Sequence, residues 1–211
     1  IDNGRLTSAR GGEFTITSSS GGKHSISKTM NYSGVATGIE AGYGGSQTTG
    51  NVTIKGNAKV TIDMTHNGTI TYEKAYGIFA KENITISENA SVDITCATPN
   101  NTATDGELCS GLRAVKDVII DTTGKVKIDV TNAGDGSTYS FGIYPSVKAT
   151  LTNVGEMEVK WKKHATISRY PGGAVHKGAS FSETNHAVNV DTENCYASYR
   201  KGTPYTVRVE N

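Results

Sequence analysis

Glu40, Phe79, Arg113, Tyr144 and His176 each follow a short recurring run in this chain, namely Gly-Ile, Gly-Leu or Gly-Ala-Val. A carboxylate, two flat rings, a guanidinium and an imidazole set in a row could grip a ligand that has apolar faces and hydroxyl edges. Rings stack on the C–H faces, and the charged groups hydrogen-bond to the oxygens. A sugar chain has that chemistry. Three further tyrosines, Tyr72, Tyr139 and Tyr170, lie in long polar segments that lead into the same runs. With Phe79, Arg113, Tyr144 and His176 they form the expected ligand-binding set.

The row is poorly equipped for catalysis. Glycoside hydrolysis needs two carboxyl groups flanking the scissile bond, one to protonate the leaving oxygen and one to activate water or attack. Glu40 has no second acid in the row, and the tripeptides "NTD" and "GHG" and the pair "DD" are absent. No enzyme is therefore expected, although a polysaccharide lyase or hydrolase stays as an alternative. His164, His176 and His186 lack a metal-ligand spacing, and His24 and His66 read as ordinary loop residues. Asp105, Glu107 and Asp135 could approach calcium, but the dense alternation of acids found in dedicated calcium loops is missing. No cofactor is expected.

Composition narrows the partners. Lys and Arg number 21 against 20 for Asp and Glu in 211 residues, so no general field draws the chain to nucleic acid or an anionic membrane. No apolar run approaches the roughly 18 residues of a membrane span, and membrane insertion is not expected. Cys96 and Cys109 bracket the polar segment "ATPNNTATDGEL". A disulfide there is expected, worth roughly 3 kcal/mol through loop closure, with two reduced thiols as the alternative. Cys195 reads as a small apolar residue.

The elements that would hold the row come from a repeat. "NVTIKGNAKVTIDM" at Asn51 returns as "NITISENASVDITC" at Asn83, as "DVIIDTTGKVKIDV" at Asp117 and as "KATLTNVGEMEVKW" at Lys148. Val52, Ile84, Val118 and Ala149 become equivalent, with separations of 32, 34 and 31 residues. Each unit holds three short runs of alternating apolar residues and no helical segment, so each run has one dry face and one wet face. Copies in register require coiling and stacking, the arrangement of a parallel β-helix. The expected fold is all-β, three strands per coil, about five or six coils; a β-sandwich would not need such copies.

Through these "VTIxxNAxVxI" and "GI" runs, residues 13 to 178 resemble bacterial cell-surface proteins with a right-handed, pectin-lyase-like parallel β-helix, of the noncatalytic carbohydrate-binding or adhesin-like type. The resemblance implies a secreted or surface-displayed module that binds a polysaccharide or a host-surface glycan along its third sheet. A structural stalk is the other noncatalytic reading. Residues 1–178 are expected to carry the repeats, and 179–211 to close the last coil or lead to a following domain. The chain is read as a monomeric fragment of a larger protein.

Overall fold

Runs such as Val52-Thr53-Ile54 and Val60-Thr61-Ile62-Asp63-Met64 bury every second residue, the mark of a strand with one face dry. A computed structural model of the chain describes residues 6–8, 14–42, 49–70, 72–103, 105–132, 137–161, 173–175, 180–183, 188–189, 196–200 and 203–206. Within those ranges, side chains are described from 14 to 160, apart from 105, 132 and 137–139.

The short strand β1 (Leu6–Ser8) comes first, and the strands then arrive in triplets. The first triplet is β2 (Phe14–Ser18), β3 (Lys23–Met30) and β4 (Val35–Ala41), and the second is β5 (Val52–Gly56), β6 (Lys59–His66) and β7 (Lys74–Ala80). Next come β8 (Ile84–Glu88), β9 (Ser91–Thr98) and β10 (Asp105–Ala114), then β11 (Val118–Thr122), β12 (Lys125–Asn132) and β13 (Ser137–Pro145). After β14 (Lys148–Thr152), β15 (Glu156–Trp161) and β16 (Gly173–Val175) the chain adds β17 (Ser180–Glu183), β18 (Val188–Asn189), β19 (Tyr196–Arg200) and β20 (Thr203–Thr206).

Corresponding members of successive triplets pair in parallel and build three sheets. The first runs β2-β5-β8-β11-β14-β17, the second β3-β6-β9-β12-β15, and the third β1-β4-β7-β10-β13-β16. No helix occurs among the described residues. The chain is an all-β parallel solenoid with three strands per coil, as the repeat requires.

Residues one lap apart stand in columns. Val52, Ile84, Val118 and Ala149 align in the first sheet, and Ile62, Ile94, Ile128 and Val159 in the second. Ile39, Ile78, Leu112, Ile143 and Val175 align in the third. Apart from Val175, whose side chain is not described, all of these are buried in one continuous core. Each such isoleucine or valine contributes roughly 1.5–3 kcal/mol by leaving water, and only stacking supplies the neighbours that cover it.

Polar ladders hold the corners. Asn89 Nδ2 donates to Asn57 Oδ1 at 3.1 Å, and Asn83 Nδ2 donates to Asn51 Oδ1 at 3.0 Å. On the wet face of the second sheet, Lys127 meets Asp93 at 3.5 Å. Exposed pairs of that kind contribute little and mainly favour the register.

The recurrence of glycine at Gly38, Gly77 and Gly111 has a packing cause. A Cβ at Gly77 would lie 2.3 Å from Ile94 Cγ2 and 2.6 Å from the Gly111 carbonyl oxygen, and one at Gly111 would lie 2.3 Å from Ile128 Cγ2. The column faces inward, where the third sheet comes too close to the isoleucines of the second to admit a side chain.

Past β15 the second sheet reverses sense. β19 pairs antiparallel with β15, β20 pairs antiparallel with β19, and the two-residue β18 lies beyond. β17 carries the first sheet past residue 178 by pairing in parallel with β14.

Candidate functional site

The glycine column sets the geometry of the outer face. Gly77 and Ile78 both turn inward, against Ile94 and the core respectively, so the strict alternation of a strand is interrupted there. Tyr76 and Phe79, three residues apart, consequently share the outer side, with ring centres 5.9 Å apart and planes within 20°. Phe141 and Tyr144 repeat the arrangement two coils on, at 5.0 Å. The third sheet thus carries two outward columns. One is Glu40, Phe79, Arg113, Tyr144, in register as the repeat predicts. The other, Thr37, Tyr76, Ser110, Phe141, was not anticipated, although the aromatics three residues before Phe79 and Tyr144 signal it.

Arg113 is held within the protein. Its guanidinium carbon lies 4.1 Å from the Tyr144 ring centre, and Nε is 3.4 Å from Glu107 Oε2. Nη1 donates to the Ala114 carbonyl at 2.8 Å and to Ser146 Oγ at 3.1 Å. Glu107, itself buried, also accepts the Ser110 hydroxyl at 2.5 Å. Burial pushes its carboxyl above the ordinary range, against the opposing pull of Arg113, Ser110, Lys74 and the Tyr76 hydroxyl. This part of the row is closed on itself, and Glu107 is engaged by Arg113 rather than placed for calcium.

Toward the other end the face opens. The turn after β3 stands over β4 and β7 and encloses a groove of about 520 Å³. Tyr32, Thr37, Glu40, Tyr76 and Phe79 line it, with Lys28 beside them. Tyr32 is 63% exposed, while Glu40 and Tyr76 are nearly covered and form the floor. Tyr32 gave no sequence signal because it follows a strand and not a "GI" run.

The remaining expected residues fall elsewhere. Tyr72 projects from the loop before β7, 76% exposed, and does not line the groove. Tyr139 pairs through its backbone with Glu107, and its side chain lies outside the described part. His176 and Tyr170 lie outside the described residues, as does Asp135. Among the described residues no three His, Cys, Asp or Glu side chains converge as a metal site, and no helix is long and apolar enough to cross a membrane.

Two expectations are corrected. The Cys96–Cys109 disulfide is not formed, and both residues are free, buried thiols. Cys96 packs in the inward column between Met64 and Val130, with its sulfur 3.6 Å from the Ser110 carbonyl. Cys109 Sγ meets the Thr131 carbonyl at 3.3 Å. Both act as core filling rather than as a clasp on the loop. Burial pushes the Cys109 thiol up to about 12 and holds Cys96 well above its ordinary value. The second correction concerns His24 and His66, which lie on β3 and β6 and not in loops; His66 is fully buried.

Comparison of the chain with family models, with curated proteins and with solved structures finds no match.

Proposed function

We propose that this chain is a noncatalytic carbohydrate-binding module of a secreted or cell-surface protein, of the bacterial, right-handed pectin-lyase-like kind, and that its ligand sits in the groove at the Phe79 end of the third sheet. One observation carries this reading. The exposed Tyr32 ring and the nearly parallel Tyr76–Phe79 pair line the same groove as the Glu40 carboxylate and the Thr37 hydroxyl. A sugar ring offers C–H faces to the aromatics and hydroxyls to the polar groups. A volume of about 520 Å³ is within the range of small-ligand sites and suits a short saccharide or a chain end. Beyond Phe79 the row is occupied by the packing of Arg113 on Tyr144.

The noncatalytic part of the reading rests on the acids. Glu40 is the carboxylate of the groove, and Glu107 is committed to Arg113 and Ser110, so the described lining offers no acid pair for glycoside cleavage. The closed Arg113, Glu107 and Tyr144 cluster favours a second reading, a structural spacer. A glycan array probed with wild type, Tyr32→Ala and Phe79→Ala separates the two. Binding by wild type that both variants lose supports the module; a folded wild type that binds nothing leaves the spacer.

A further inference from the structure

One wall of this groove lies next to a buried histidine. His66, the last residue of β6, is 0% exposed and lies beside Met30 of β3, just before the turn that carries Tyr32. Its Nδ1 accepts the Gly68 N–H at 3.0 Å, so in the neutral ring the proton is on Nε2. Nε2 is buried with no hydrogen-bond partner. The Tyr32 and Gly34 carbonyls act on the ring from the turn, outside the geometry of a closed hydrogen bond.

The surroundings tie the ring to the wall. Glu73 is the ionic group that acts on the imidazole, and its Oε2 accepts the Ile70 N–H at 2.9 Å. From β3 the neighbour is Met30, and from the turn the groups are backbone carbonyls. From the adjacent loop comes the neutral Asn101, whose Nδ2 donates to the Ile70 and Glu73 carbonyls. Asn67 Nδ2 donates to Asn31 Oδ1 at 2.8 Å, joining the residue after His66 to the residue before Tyr32.

Protonation would place a hydrogen on Nδ1, the atom that now accepts. Two N–H groups would then oppose each other across the Gly68 contact, which has to open. The Nε2–H, now on a cation, would pull harder on the Tyr32 and Gly34 carbonyls. We propose that His66 is a proton-operated latch on the groove: beside the neutral ring the Tyr32–Val35 wall keeps the shape described, and the protonated ring moves it, so the surface offered to a ligand differs between neutral and mildly acidic medium. The inference rests on the groove reading for its biological meaning, but its physical content does not depend on any ligand. Burial lowers the imidazole from its ordinary value, which puts the transition on the acid side of 6.5.

Two-dimensional ¹H–¹⁵N NMR on the free chain, titrated from neutral to mildly acidic pH, tests the latch. The amides of Gly68 and of residues 32–35 should shift with the midpoint of the His66 ring protons. Glu73→Gln, which removes the charge that favours the imidazolium, should move all these midpoints to lower pH together, and His66→Gln should abolish the shifts. The latch is overturned if the ring titrates while residues 32–35 stay still, if their shifts persist in His66→Gln, or if no titration precedes global unfolding. Should His66→Gln fail to fold, the common displacement in Glu73→Gln still decides. Because no sugar is present, failure here leaves the array result untouched, and a silent array leaves the latch standing.

Discussion

The guanidinium of Arg113 lies 4.1 Å above the ring of Tyr144 on the next coil while its Nε faces the buried carboxylate of Glu107 on its own strand at 3.4 Å. One side chain therefore joins two coils and neutralises a charge that water barely reaches. Arg113→Ala strands that charge, and a loss of about 2–3 kcal/mol is expected, below the 3–5 of a fully buried pair because the arginine is partly exposed. Urea unfolding checks this, and adding Glu107→Gln to the same variant should recover part of the loss. Equal stability of wild type and Arg113→Ala would mean that the contact is ornamental.

Gly77→Ala is expected to cost about 2–3 kcal/mol, since one methyl would overlap Ile94 Cγ2 and the Gly111 carbonyl and a packed core has no room to yield. Thermal unfolding reads the change. A tolerated alanine would show that the third and second sheets can separate at that coil.

Acid should weaken the fold through His66. The unfolded imidazole takes its proton near 6.5 and the native one below that, so between the two values the unfolded state binds more protons and stability falls as pH drops. Above 6.5 the residue contributes no pH dependence. Glu107 acts in the opposite sense: its native carboxyl is raised above 4.5, so the folded state gains as pH falls through that raised value toward 4.5. Urea midpoints measured across mildly acidic pH should decline for wild type and lose that decline in His66→Gln.

Tyr32 is exposed, and Tyr32→Ala should change stability by no more than about 0.5 kcal/mol. Any sugar bound by wild type should nevertheless be lost. Calorimetric titration of the best array hit, beside a melting curve, provides both numbers. Retained affinity would place the ligand elsewhere.

The buried thiols should resist alkylation. Iodoacetamide should leave Cys96 and Cys109 unmodified in the native chain and label both in denaturant without reductant, as mass spectrometry of the peptides would show. A peptide pair 2 Da light and refractory in denaturant would restore the disulfide.

The columns of the core were legible because stacking repeats every lap, which sets Val52, Ile84 and Val118 in one frame. The register of Glu40, Phe79, Arg113 and Tyr144 followed from the same repeat. What those side chains do was not legible. Alternation by two assigns Tyr76 and Phe79 to opposite faces, and only the inward glycine brings them together. Spacing showed Cys96 and Cys109 as loop brackets, whereas the strands extend far enough to draw both into the interior. His66 looked like a loop residue since its strand runs four residues beyond the last aliphatic of the pattern, Ile62, and two past the expected run ending at Met64.

The reversal at β15 has a bearing on self-association. A stack of identical-sense strands leaves a bare row of donors and acceptors on which another chain can template itself. Here that row meets β19 running the other way and dwindles to the two residues of β18. Among the described residues the second sheet thus ends on a two-residue strand, which gives fibre growth along that sheet little to copy.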